Sequence, residues 1–497
     1  MRRIACVSLP EIRVEIARER ENAASRVGPI AIVVARPGGA IRTERDVLGN
    51  TRLDVVSREA SALGVRPGQT VAAARAKHTE LHVRVVPEGA VRTALARIAE
   101  AALAFGPASA FDVATDVVWV DVGGCAHLHG GEVKLAESLA ARVAALGHAS
   151  RVAVADGPRI ASAVARYARR ETRLVVPHGH GAAAMRSLPV AALALDDDVH
   201  VWLRDLGLHR CGDLQKLPRR SLGVRLGARA HDVMLLLDGE DRAPLDPWRP
   251  PEVPEERVEL EWGASSVEAI AFVVKTLCDR LAARLEGRGV AAARIELLLG
   301  LDRALCEGRP HLSLLEVVLP VPLSRAGDLL AVVRARLEHH VVAAPVLAAT
   351  LRATELARAE GRNLELLSPE PRADRALPRL VAELSAELGP SRVGVLALAD
   401  TWVPDERTHL VRFGSAPERP RAPGITSALE PTRLVPSRPV PRDAFVPVRP
   451  LSRIEAVEWW RRTPRRRDLL AAWTSERSLA WVELRDDGEV SIRGWVD

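Results

Sequence analysis

Residues 114 to 131, ATDVVWVDVGGCAHLHGG, bring Asp116, Asp121, Cys125, His127 and His129 into one short stretch. These residue types can hold metal: aspartates suit a hard divalent ion, and cysteine with histidine suits zinc. The spacing speaks against zinc, because Cys-x-His-x-His is not among the usual ligand patterns. The competing reading is a glycine-rich turn leading to a helix that starts near Glu132, with both histidines bonded to nearby backbone. Trp119, inside an apolar alternation, reads as core. No metal ligand set and no cofactor is assigned here.

The elements that must position this stretch alternate in type. Residues 3–9, 30–35, 116–122 and 151–155 read as buried strands, and 89–104, 132–146 and 159–169 carry helical spacing. Residues 188–227 break into short helices at Gly207, Gly212 and Gly223. Between 257 and 356 the order is strand, helix (266–286), strand (292–300), strand (312–319), helix (324–338), strand (345–356), a βαββαβ unit. Nine prolines between Pro417 and Pro450 imply an extended linker with little core. The last residues alternate like a small β-meander. The fold class is α/β and multidomain, consistent with 497 residues of which 47% are hydrophobic.

Composition narrows the function. No apolar run approaches the ~20 residues of a membrane span, and the first residues turn charged too early for a signal peptide, so a cytoplasmic protein without membrane contact is expected. Cys6, Cys125, Cys211, Cys278 and Cys306 are odd in number and lack a CxxC pair, which argues for reduced, buried thiols. The net charge of +6 is carried almost wholly by arginine, a residue suited to bidentate phosphate contact.

Several stretches together resemble the ImuB branch of the Y-family translesion polymerases: LGVRPGQTVAAARA (63–76), VDVGGCAHLHGGEVKLAESLAARVAALG (120–147), RVAVADGPRIASAVARYA (151–168), LPVAALALDDDVHVWLRDLGLHRCGDLQKLP (188–218) and RPLSRIEAVEWW (449–460). The resemblance implies palm and fingers over 1–178 and a helix-hairpin-helix thumb over 188–245. It further implies a little finger over 257–356, a family-specific segment over 357–414, the proline-rich linker over 415–450 and a partner-binding region over 451–497.

Phosphoryl transfer by a polymerase needs two divalent ions gripped by a carboxylate cluster. In active Y-family enzymes this is an aspartate ending the first strand plus an Asp-Glu pair. By the resemblance those positions are Ser8 and Asp116-Val117, so one carboxylate survives, too little charge for two dications. The triphosphate contacts change in parallel: Arg58 and Ser61 stand at the fingers positions, and Ser162 at the palm lysine. The resemblance implies a chain that does not polymerise. The alternative is an active polymerase whose metal site is rebuilt from Asp112, Asp121 or Glu11; Asp121 lies on the opposite strand face from Asp116 if no bulge intervenes. A third reading is a DNA-binding module only.

What remains is binding. Gly207, Arg210, Gly212, Lys216, Arg219, Arg220 and Arg225 form the expected sequence-independent DNA contact of the thumb. Arg280, Arg284 and Arg288 read either as duplex contacts of the little finger or as plain surface. Asn363, Leu364, Glu365, Leu366 and Leu367 resemble the sliding-clamp peptide Gln-Leu-x-Leu-Phe, with apolar anchors for a preformed pocket; LQKLP (214–218) is a poorer candidate inside the thumb. Trp459, Trp460, Arg465, Arg466 and Arg467 suit a protein interface or single-stranded DNA. Along with 376–411, which carry one amphipathic helix, they resemble regions that engage a RecA-like accessory protein of the ImuA type and an error-prone replicative-type polymerase.

Overall fold

The computed structural model describes residues 2–19, 28–169, 174–306, 308–359, 372–389, 391–398, 408–413, 433–457, 465–485 and 488–496. The chain divides into two units, Met1–Glu383 and Leu384–Asp497.

The first unit opens with β1 (Arg3–Ser8), α1 (Ile12–Glu19), β2 (Ile30–Ala35), β3 (Val55–Val56), α2 (Arg58–Ala62), α3 (Val71–Lys77), β4 (His82–Pro87) and α4 (Glu88–Ala102). It continues through β5 (Ser109–Asp112), β6 (Val117–Asp121), α5 (Glu132–Ala145), β7 (Arg151–Asp156) and α6 (Pro158–Tyr167). An antiparallel sheet of order β5-β6-β1-β7 and a separate sheet β3-β2-β4, in which β2 and β4 are parallel, lie within the residues expected as palm and fingers. The apolar run IACV makes β1 the central strand, because both of its faces are buried. Its two faces feed different cores: Ala5 and Val7 pack with α4 and α5, and Ile4 and Cys6 with α6 and the thumb.

α6 starts with Pro158 after Gly157, which has φ 96° and no side chain to cap the helix. Asp241 supplies the cap from far along the chain, accepting from the Arg159 and Ile160 amides at 2.5 and 3.3 Å. After α7 (Gly181–Arg186), the region expected as the thumb, 188–245, contains α8 (Asp197–Asp205), α9 (Cys211–Leu214), α10 (Arg219–Leu226) and α11 (Ala230–Leu237).

Next come β8 (Glu255–Ala264), α12 (Val267–Arg288), β9 (Val290–Leu301), β10 (Leu312–Leu323), α13 (Ala326–Glu338) and β11 (Val346–Arg358). Their sheet runs β10-β9-β11-β8, antiparallel throughout. The long helix α12 carries both expected end signals, Ser266 capping the Ala269 amide and Gly289 in the left-handed conformation.

α14 (Arg372–Leu388) follows, with Pro378 inside it. The second unit contains β12 (Gly394–Leu398) paired with β13 (Thr408–Arg412). It also holds β14 (Arg433–Pro439), β15 (Phe445–Val457), β16 (Arg465–Thr474), β17 (Leu479–Arg485) and β18 (Val490–Val496), in the order β14-β18-β17-β16-β15. This corrects the expected linker: residues 433–439 and 445–457 are strands despite their prolines. β14 and β15 are the two edges of that sheet, where a missing amide hydrogen costs least. Val435, Val440 and Phe445 also pack against its core. Among the described residues no helix is long and apolar enough to cross a membrane.

Candidate functional site

The fold brings the three degenerate carboxylate positions to one strand end. Ser8, buried at the end of β1, pairs across the sheet with Val117, and the Leu9 amide donates to the Asp116 carbonyl at 3.0 Å. Val117 is fully buried and offers only methyl groups. Asp116 closes the β5–β6 hairpin with φ 54°, a left-handed conformation that aspartate tolerates better than most residues. Asp112 shapes the same turn, accepting from the Ala114 amide at 3.1 Å and the Thr115 hydroxyl at 2.5 Å.

The surviving carboxylate is already neutralised. Arg13, on α1, forks onto Asp116 through Nε (2.9 Å to Oδ2) and Nη2 (3.0 Å to Oδ1), and Nη2 also reaches the Val113 carbonyl at 2.7 Å. Both side chains are largely shielded from solvent. Burial, the largest influence, raises the Asp116 pKa, and Arg13 answers it only in part. A site for two dications needs the reverse: surplus negative charge with open lone pairs. A serine, a valine and an arginine-bound aspartate do not fit that pair.

The rescue carboxylates are placed elsewhere or occupied. Asp121 pairs with Ile4 at the other end of β1 and accepts from the Gly123 amide at 3.0 Å. Glu11 receives Arg58 Nε at 2.7 Å. Ser61 is held by Arg66, whose Nη1 donates to its hydroxyl at 3.1 Å. Ser162 hydrogen-bonds the Cys6 thiol, which burial pushes up to about 12. Among the described residues no group of three or more His, Cys, Asp or Glu is arranged to hold a metal.

The glycine turn corrects one expectation. His129 stacks on Phe105, ring centroids 5.0 Å apart, rather than bonding to backbone. Gly130 and Gly131, both at positive φ, lead into α5 at Glu132. Trp119 donates to the Pro158 carbonyl at 3.1 Å and packs in the core with α6. Four cysteines are buried, whereas Cys125 is only partly so.

In the thumb, Gly207 ends α8 at φ 75°, as a turn glycine. Gly212 has a different reason from the expected phosphate approach: a Cβ there would lie 2.8 Å from the Arg186 carbonyl, so the glycine lets α9 touch α7. Arg210 reaches the Ser187 carbonyl at 3.4 Å, Lys216 lies 3.9 Å from Asp213, Arg219 pairs with Asp238 at 2.6 Å, and Arg225 lies over the Trp202 ring. Arg220 is exposed, with no side-chain partner among the described residues.

The α12 arginines overturn both of their expected roles. Arg284 donates to Glu100 (2.8 Å) and Glu256 (3.0 Å), Arg288 to Glu100 (2.5 Å), and Arg97 bonds Glu256 at 2.8 Å. Glu100 and Glu256 are 0% and 2% exposed, so this is a buried ion cluster joining α4 to α12 and β8. Arg280 pairs with Glu19 on α1 at 3.0 Å. Gly287 permits the contact, since a Cβ there would fall 2.0 Å from the Glu100 carbonyl oxygen. Spacing along α12 marks these arginines as one face; nothing in the sequence tells that Glu100 and Glu256 oppose it. Arg13 was likewise not among the expected site residues, because no spacing motif ties it to Asp116.

The segment Asn363–Leu367 lies outside the described residues, as do Trp459 and Trp460. Arg465, Arg466 and Arg467 lie in β16, where Arg465 is in register with Val457 and Arg467 with Ile454 and Arg485.

Residues 29–166 match the impB/mucB/samB family. Protein ImuB of Caulobacter vibrioides is 34% identical over 242 residues, 48% of this chain and 51% of that protein. DNA polymerase IV of Pelotomaculum thermopropionicum is 27% identical over 251 residues, 49% of this chain and 61% of that one. The chain thus spans about half the length of the ImuB relatives it matches. Among solved structures, an insertion ternary complex of Dbh DNA polymerase gives a TM-score of 0.40 at 13% identity, covering 70% of this chain and 98% of that one. DinB from Sulfolobus solfataricus gives 0.41 at 12%, covering 71% and 98%. The match over residues 29–166 and the identity to Protein ImuB converge on one likeness: over about half of its length this chain is similar to an ImuB protein and carries an impB/mucB/samB-type segment.

Proposed function

We propose that this chain is a non-catalytic polymerase-fold scaffold in DNA damage-induced translesion synthesis, bringing an error-prone polymerase to damaged, clamp-loaded DNA. The observation that carries the reading is the Arg13–Asp116 fork, which balances the one carboxylate left at the strand end beside Ser8 and Val117. Two cations brought there would meet a guanidinium instead of open oxygens. The likeness to Protein ImuB and the impB/mucB/samB match support the repair setting.

The retained task is binding. The thumb contacts DNA through Arg220 and, once their ion pairs yield to phosphate, Lys216 and Arg219; Leu364, Leu366 and Leu367 engage the sliding clamp. The arginine-rich end engages the accessory protein and the polymerase. Several weak contacts on one chain raise effective concentration, which makes a silent adaptor useful.

Primer extension with magnesium and with manganese tests the core of the proposal. No incorporation is expected; incorporation that disappears in Asp116→Ala establishes an enzyme instead. Capture on immobilised sliding clamp should be lost when Leu364, Leu366 and Leu367 are changed to alanine, and unchanged capture rejects that peptide.

A further inference from the structure

The segment joining α11 to β8, DRAPLDPWRPPEVPEE (241–256), holds five prolines and no glycine. Proline fixes φ and removes an amide donor, so such a run stays extended and its carbonyls must find partners elsewhere. A hinge works the other way, through a few residues that absorb large φ and ψ changes. By composition this connection is stiff.

It is also fastened along its length. Asp241 caps α6, and Leu245 is buried in the core that α6 shares with α7–α11. The Trp248 amide donates to the Ser109 carbonyl at 2.8 Å, on the edge strand β5, and the Trp248 ring meets Phe111 edge-on with centroids 5.7 Å apart. Beyond it the partners change sides. Arg288 of α12 donates to the Pro251 and Glu252 carbonyls at 2.6 and 3.1 Å, Arg284 donates to the Glu255 carbonyl, and the Pro254 carbonyl accepts the Ala353 amide of β11 at 3.0 Å. Only Arg249 and Pro250 separate the last anchor on the β5 side from the first on α12.

The helix that receives the segment is itself held from three sides. Arg280 pairs with Glu19 of α1, Arg284 and Arg288 with Glu100 of α4, and Glu286 accepts a two-pronged contact from Arg142 of α5. Lifting the segment at Trp248 would pull carbonyls away from Arg288 and Arg284, whose charges sit in the buried cluster with Glu100 and Glu256. Carbonyl partners lost in such a place are costly.

We propose that residues 241–256 are a locking strap, fastened to α6 and β5 at one end and to α12 and β11 at the other. The gap between α7–α11 and the β8–β11 sheet is thereby preset, and it does not close around a ligand by rotation of that sheet. The seat of Trp248 on β5 keeps the following carbonyls in place for the two arginines. The lock stands apart from the proposed function; only its consequence for a bound duplex rests on the DNA contact proposed there.

The test uses the full chain with nitroxide labels at Ser138→Cys on α5 and Arg336→Cys on α13, both exposed positions, in a Cys125→Ser background that leaves only buried thiols. Pulsed electron double resonance should give one narrow distance distribution, and a DNA duplex added to saturation, checked by anisotropy, should not shift it. A broad or two-peaked distribution in the free chain overturns the proposal, as does a shift with duplex larger than the free-chain width. Hydrogen exchange over 243–249 should be slow and should quicken about tenfold in Trp248→Ala, which removes the ring pair, while the distance distribution widens. Trp248→Phe keeps a ring against Phe111 and should restore both readouts, which separates loss of the seat from misfolding followed by circular dichroism. Exchange at the free-peptide rate in the unsubstituted segment, or an unwidened distribution in Trp248→Ala, overturns the strap. A duplex that does not bind rejects the DNA contact of the proposed function and leaves the free-chain distribution to decide the lock.

Discussion

The strand end at Asp116 and the α4–α12 interface treat charge in opposite ways. At Asp116 the expected cluster has shrunk to one carboxylate balanced by one arginine, in a partly shielded turn. Between α4 and α12, three arginines and two glutamates are nearly withdrawn from water. The first offers no surplus negative charge to hold cations; the second fixes a geometry. Buried pairs add little net stability against apolar replacements, but they are costly to break singly, so they specify one docking and penalise others. Charge at the α4–α12 interface thus serves the placement of α12 and β8 against α4.

Breaking the interface should give the largest effect. Glu100→Ala leaves Arg284 and Arg288 partly uncompensated in the interior, so a loss of about 3–5 kcal/mol is expected, measured by urea unfolding. Hydrogen exchange should rise first along α12. Gly287→Ala tests the same contact without charge: the new methyl would meet Glu100 backbone, which cannot swing aside. About 1–3 kcal/mol is expected from such overpacking, and an unchanged midpoint would mean the helices part freely.

At the other region, Asp116→Ala removes the partner of Arg13 and puts alanine at φ 54°, where strain is about 1–2 kcal/mol. Asp116→Asn should cost less, since asparagine accepts that conformation; equal losses in thermal unfolding would deny the turn its part. The pH signs sharpen the comparison further. Asp116 has its pKa raised by burial despite Arg13, so its contribution is fully present below the unfolded value and is lost as pH rises through the folded one. At Asp156 burial works against the carboxylate, but Arg3, the Gly179 amide and His178 outweigh it and hold the pKa low. Its contribution is present above the unfolded value and is lost as pH falls through the folded one. Asp116→Asn and Asp156→Asn should therefore change the acid slope of stability in opposite directions. The smallest change is expected from Arg219→Ala, whose exposed pair with Asp238 is worth about 0–1 kcal/mol. A duplex-binding salt slope reduced in that variant would support phosphate contact by the thumb.

Much of this was legible in the chain. Apolar runs gave β1, β2, β6 and β7, helical spacing gave α4, α5 and α6, and the βαββαβ order was visible because each element has a clear period and end signal. The short strands β3, β4 and β5 were not anticipated: their runs are brief or interrupted by charge, and their pairing is long-range. Prolines in β14 and β15 imitated a linker because sequence cannot show that a strand will sit at an edge, where proline is tolerated.

What the sequence determined by itself was which side chains stand at this strand end, since Val117 offers no ligand oxygen and Ser8 only a neutral one whatever the surroundings. The tertiary structure decided where the remaining charges went. Arg13 found Asp116 across 103 residues of chain, and Arg284 found Glu100 across 184. Side-chain type is local and readable; ionic pairing depends on which surfaces the core brings together, and burial then sets how much each pairing matters.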